Sequence, residues 1–107
     1  MVLARMSFWK FKPGQMERGF TVLDDSLADI ARGTKGFRGN LTLLSKDDPD
    51  VGVVITIWEN EEALEASLGA VFQESIKKIA QFVVSPPEVK NYRVFTAELR
   101  ALSREKG

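Results

Sequence analysis

The run Val-Gly-Val-Val-Ile-Thr-Ile-Trp at residues 51–58 constrains the fold more than any other stretch of the chain. β-branched and aromatic residues dominate it, so it reads as a strand. Side chains along a strand alternate between faces, which sets Val54, Thr56 and Trp58 on one side and Val53, Ile55 and Ile57 on the other. Both sides are apolar. A sheet built around such a strand must be covered twice, by its own helices on one face and by another surface on the second.

The flanking sequence supplies the helices. Residues 2–12 form a first strand-like run that stops at Pro13-Gly14, a turn dipeptide. From Gln15, the residues Met16, Phe20, Leu23, Leu27 and Ile30 recur at spacings of three and four, with Glu17, Asp24, Asp25 and Asp29 mostly opposite. This spacing predicts an amphipathic helix, and Gly33 is expected to close it in a left-handed cap. Residues 37–45 and 51–59 are two further strands joined by the polar turn Lys46-Asp47-Asp48-Pro49-Asp50. Asn60 is a favoured helix N-cap, and Glu61 and Glu62 sit where the helix dipole favours negative charge. Leu64, Leu68, Val71, Phe72, Ile76, Ile79 and Val83 continue at helical spacing, with Gly69 as the point of a break or bend. Pro86-Pro87 ends this segment, and residues 89–96 read as a fourth strand before a charged tail at 98–107.

The resulting order is β-α-β-β-α-β, an α+β class chain. It predicts a ferredoxin-like split sandwich, a four-stranded antiparallel sheet with its helices on one face. A single domain is expected over residues 1–107, with its core at about residues 2–97. The economical cover for the open apolar face is a second copy of the chain, as a two-fold dimer.

The chain has neither cysteine nor histidine. Disulfides, thiolate nucleophiles, imidazole bases and imidazole metal or haem ligands are therefore excluded, and with them Ser-His-Asp and Cys-His catalysis. Fifteen basic and fifteen acidic side chains balance, so no general attraction to nucleic acid or to a membrane is expected. No targeting or membrane-spanning segment is evident, and a cytoplasmic location is the default expectation.

Two local signals imitate nucleic-acid motifs and then fail. Lys35-Gly36-Phe37 opens like a ribonucleoprotein octapeptide, but Arg38, Gly39 and Thr42 stand where a small residue and two aromatics belong. Gly33-Thr34-Lys35-Gly36 imitates a GxxG loop but leads from helix to strand. The paired carboxylates Asp24-Asp25 and Asp47-Asp48 are accounted for by a solvated helix face and a turn. Arg5, Asn40, Asn91, Tyr92 and Arg93 all fall in strands, where a polar side chain can face a pocket, pair across strands or lie near an edge. The sequence leaves that choice open.

Across residues 2–97 the pattern Phe-Lys-Pro-Gly-Gln, then Gly-Phe-Arg-Gly-Asn-Leu-Thr-Leu-Leu, Ile-Trp-Glu-Asn-Glu-Glu-Ala-Leu and Pro-Pro-Glu-Val-Lys-Asn-Tyr-Arg-Val-Phe resembles the antibiotic biosynthesis monooxygenase (ABM) domain family. The resemblance implies a dimeric α/β barrel. The family includes cofactor-independent oxygenases, which turn a polyphenol or hydroquinone into a quinone with dioxygen, haem-degrading enzymes, and many proteins with no assigned activity, so the resemblance implies one of these. The haem branch needs a histidine ligand and is set aside. Trp58 carries over directly as a site residue, while Val54 and Leu64 depart from the polar neighbours of the family's oxygenases.

Two readings follow. In the first, no cofactor is needed, Trp58 walls a pocket between sheet and helices, and Arg93 or Tyr92 orients a phenolate, with Thr56 and Asn40 contacting the substrate. In the second, the barrel is non-catalytic, binding a small apolar ligand or serving as a scaffold, and Trp58 is a core wedge.

Overall fold

Two strands, β1 (Leu3–Lys10) and β3 (Val51–Trp58), form the centre of the sheet, with β2 (Phe37–Leu44) and β4 (Glu88–Arg93) on its edges. This is the arrangement in the computed structural model of the chain, which describes residues 1–100. Every pairing is antiparallel, in the order β2-β3-β1-β4. The α+β ferredoxin-like fold expected from the order of elements is the one observed. The tail expected at 98–107 lies outside the described residues from position 101 onward.

Helix α1 (Met16–Gly33) buries Met16, Phe20, Leu23, Leu27 and Ile30 against the sheet, the same five positions that define its apolar stripe. It ends at Gly33 as expected, but without the expected left-handed cap. Gly33 remains helical, Thr34 is extended, and the left-handed glycine is Gly36, at φ 93°. The chain turns into β2 there, and a Cβ on Gly36 would sit 2.7 Å from the Ala63 Cβ. Both backbone conformation and space therefore require glycine.

The second helical segment is divided. Asn60 caps α2 (Glu61–Ala66), its side-chain oxygen accepting from the Ala63 N–H at 2.8 Å. The chain then leaves the helix at Ser67 and restarts at α3 (Ala70–Ile79), with Gly69 extended between them. Glycine has the poorest helix propensity after proline, so the break falls where it is cheapest. A 3₁₀ turn at Ala80–Phe82 and a bridge from Val83 to Phe11 lead into β4.

All helices lie on the face that carries Val54, Thr56 and Trp58. The buried core there is in two parts. One gathers Trp9, Phe11, Phe20, Leu23 and Ile79, and the other Leu3, Ile30, Trp58, Ala63 and Leu64. In the sheet, the pairs Leu3–Trp58 and Trp9–Gly52 mark the two ends, and the rows between them hold Arg5–Thr56 and Ser7–Val54. Polar residues thus interrupt the core midway along the sheet, where folding alone favours apolar side chains.

The opposite face carries Met6, Phe8, Leu41, Val53, Ile55 and Ile57, and among the described residues no element lies over it. Among the described residues, no helix is long and apolar enough to cross a membrane.

Candidate functional site

Trp58 is 1% exposed, at the end of β3, with the Phe37 ring edge-on at 5.3 Å between centroids. Burying an indole removes roughly 150–250 Å² from water, worth about 4–6 kcal/mol at about 25 cal/mol per Å². Its ring N–H would oppose that burial if unpaired. It donates instead to the Thr56 hydroxyl, two residues earlier on the same face, at 2.9 Å. Trp9 repeats the device, donating to Ser7 Oγ at 2.8 Å.

Beside Thr56 in the sheet is Arg5, only 8% exposed. Its Nη1 donates to Ser67 Oγ and its Nη2 to the Leu64 carbonyl, both at 2.9 Å. The two acceptors sit where α2 ends, so the helix break is what presents them. The guanidinium carbon lies 5.9 Å from the Trp58 ring centre and 5.9 Å from that of Phe72, at the outer range of cation–π attraction. Among the described residues, no carboxylate pairs with it. Burial pushes its pKa down from the usual value, the direction expected for a cation taken from water without a counter-charge. A guanidinium nevertheless stays protonated throughout the range in which proteins fold.

Arg5, Thr56 and Trp58 line a hollow between sheet and helices, of about 50 Å³. Trp9 and Val54 continue its floor, Leu27 and Ile30 of α1 and Phe72 and Ile76 of α3 form its roof, and Pro87 and Val89 its side. Val89 is 46% exposed, so the side toward β4 is the mouth. The volume holds a few water molecules, whereas a drug-sized ligand needs roughly 300–1,000 Å³. Admitting an aromatic ring requires the roof to lift, and the Ser67–Gly69 break leaves α3 free of helical continuity with α2. Among the described residues, no group of three acidic side chains could hold a metal ion.

Pairing register locates each residue singled out in the sequence. Thr56 and Trp58 line the hollow together. Asn40 is opposite Thr56 on edge strand β2, hence on the helix face, but exposed. Arg93 pairs with Leu3, in the same row as Trp58, and is exposed at the other edge. Tyr92 pairs with Ala4, which sets it on the open face, away from the hollow, because neighbours along a strand point oppositely. Arg5 was legible only as a polar strand residue. Its strand is apolar on both faces, Leu3 and Trp9 on one and Met6 and Phe8 on the other, so alternation could not show that it points inward.

The sequence model of the antibiotic biosynthesis monooxygenase family matches residues 1–77. No curated protein matches the sequence. Among solved structures, a protein of unknown function from Nitrosomonas europaea is 25% identical, covering 94% of this chain and 95% of its own, with a TM-score of 0.75. SnoaB, a cofactor-independent oxygenase from Streptomyces nogalater, is 16% identical with a TM-score of 0.78, covering 90% of this chain and 95% of its own. A conserved protein from Methanosarcina mazei is 13% identical with a TM-score of 0.77, covering 87% of this chain and 92% of its own. At these identities the last two likenesses establish the fold, while the family model spans most of the chain by sequence. This chain belongs to the antibiotic biosynthesis monooxygenase family.

Proposed function

We propose that the chain is a cofactor-independent monooxygenase acting on a small aromatic phenol, a polyphenol or hydroquinone. The observation that carries this reading is the buried, carboxylate-free Arg5 guanidinium set beside the Trp58 indole and the Thr56 hydroxyl. An unpaired buried cation costs stability, so its presence between two apolar clusters argues for a ligand that supplies the missing negative charge. The SnoaB likeness supports an oxygenase of this kind.

The chemistry balances without a further reductant. The substrate loses the O–H hydrogen and one ring C–H hydrogen, one atom of dioxygen enters that ring carbon as a carbonyl, and the other leaves as water. Four electrons pass from substrate to dioxygen. In this reading Trp58 walls the ring, Thr56 hydrogen-bonds to it, and Arg5 holds the developing oxyanion. Asn40 and Arg93, on the same face at opposite edges, contact the substrate once the roof has lifted. Tyr92 belongs to the dimer surface, where two copies pack their open faces.

Oxygen uptake with a panel of hydroquinones and anthrone-like phenols tests the assignment. One dioxygen consumed per quinone, without hydrogen peroxide, is the expected stoichiometry. No uptake across the panel, or undiminished uptake in both Trp58→Phe and Arg5→Met, would sink it.

The size of the hollow favours a second reading, a non-catalytic dimeric barrel that binds a small apolar ligand or acts as a scaffold. It predicts thermal stabilisation by ligand without oxygen consumption.

A further inference from the structure

The groups around the hollow are unusual in what they lack. The Arg5 guanidinium donates to Ser67 and Leu64 and has further N–H groups beyond those two. The Thr56 oxygen accepts from the indole, which leaves its own O–H to be given to a ligand. Among the described residues, no aspartate, glutamate, lysine or tyrosine lines the space, and Arg5 is the one ionisable group that does. From the described residues the hollow therefore receives hydrogen-bond donors and no carboxylate, amine or phenolate base.

The neighbouring charges do not alter this. On α1 the lining residues are Leu23, Leu27 and Ile30, and on α3 they are Phe72, Ser75 and Ile76. Glu59, after β3, is engaged by Arg38 at 2.8 Å, and Glu88 of β4 by Lys90 at 3.5 Å, on the open face. Arg93, at the sheet edge, adds only positive charge.

We infer that the protein does not remove the substrate's proton with a base of its own: the hollow selects an aromatic oxyanion, a phenolate, and Arg5 ionises the phenol electrostatically, its proton passing to solvent. The inference rests on the phenolic reading above. The O–H bond breaks heterolytically, its electron pair stays on oxygen beside the guanidinium, and the proton goes to buffer through the mouth at Val89. An opposite charge at hydrogen-bond distance lowers the pKa of an acid by about 1–3 units. Arg5 is thus a catalytic residue that acts on the substrate's acidity without exchanging a proton.

The test uses 4-nitrophenol under nitrogen, since its anion absorbs in the visible and its neutral form does not. With the wild-type protein in excess, the ionisation midpoint of the bound probe is expected about one unit or more below that of the free probe, a tenfold preference for the anion. Arg5→Lys keeps part of the shift and Arg5→Met abolishes it. The neutral 4-nitroanisole binds wild type and Arg5→Met equally. No binding, an unshifted or raised midpoint, a shift that survives in Arg5→Met, or benzoate displacing the probe at lower concentration than phenolates do, overturns the inference.

Because no oxygen is present, this outcome is independent of turnover. A shifted midpoint with no oxygen uptake from any phenol would leave the anion site standing and remove the monooxygenase. Where turnover is found, kcat/KM rises with pH to a plateau whose midpoint follows the acidity of each phenol in a substituted series. A midpoint identical for all of them would assign proton removal to a protein group and overturn the proposal.

Discussion

The Trp58 indole donates its N–H to the Thr56 hydroxyl at 2.9 Å, from a position two residues along the same strand and face. The bond allows a tryptophan to be fully buried at a strand end while its polar edge faces the hollow. It also holds the Thr56 oxygen in place beside Arg5. Packing and site geometry therefore share one interaction.

Thr56→Val removes the acceptor at nearly constant volume and strands a buried N–H. The expected loss is about 1–3 kcal/mol, read as a lower urea midpoint at unchanged m-value. In a double-mutant cycle, Thr56→Val costs less in a Trp58→Phe background, because phenylalanine has no N–H to strand. Equal costs in the two backgrounds would show that the bond contributes nothing.

Arg5→Met is expected to stabilise the fold while abolishing anion binding. Burial lowers the guanidinium's pKa, so the charged form is less favourable folded than unfolded. This subtracts stability at every pH at which the group is charged in both states, and relief would come only as pH rises through the lowered folded pKa. The effect is thus constant across the neutral range. Replacing even a buried ion pair with apolar volume is often neutral or stabilising by about 1–4 kcal/mol, and among the described residues Arg5 has no ion-pair attraction to lose. The Leu64 carbonyl keeps the Ser67 hydroxyl as donor after the change. Thermal denaturation at pH 7 checks this, and a fall in Tm would show that Arg5 supports the fold.

Ile55→Asp is expected to convert a dimer to a monomer. Ile55 lies between Met6 and Leu41 at the centre of the open face, where an assembled pair would bury two unpaired carboxylates, one from each copy. Light scattering is expected to return twice 12.0 kDa for the wild-type chain and about 12.0 kDa for the variant. A wild-type monomer at micromolar concentration rules the dimer out.

Asn60→Ala removes the cap of α2 and the partner of the Ala63 N–H. A cost of about 0.5–2 kcal/mol is expected, seen in chemical denaturation. Because α2 carries the Leu64 carbonyl and leads to Ser67, both of which accept from Arg5, 4-nitrophenol binding weakens as well. Unchanged binding would show that the site does not depend on this helix start.

The elements and their order were legible because each rests on local regularities: period-two alternation in β3, spacings of three and four in α1, a turn at Pro13-Gly14, a cap at Asn60. Trp58 and Thr56 were legible as same-face neighbours for the same reason. The end of α1 at Gly33 was legible, but the left-handed glycine was assigned three residues too early, since Gly33 and Gly36 are equivalent locally and only the approach of Ala63 distinguishes them. Tyr92 and Arg93 are adjacent in sequence and equally polar at the strand. Pairing with Ala4 and Leu3 separates them onto opposite faces.

The sequence by itself determined the order of strands and helices, the two apolar faces of β3 and the absence of histidine and cysteine chemistry, because these are properties of short windows or of composition. Only the tertiary structure decided that Arg5 is buried. That outcome depends on residues about 60 positions away, Leu64 and Ser67, being carried by a helix break onto the strand that holds it. Both faces of that strand are apolar, so no local pattern could tell a solvated arginine from one enclosed without a counter-charge beside Trp58.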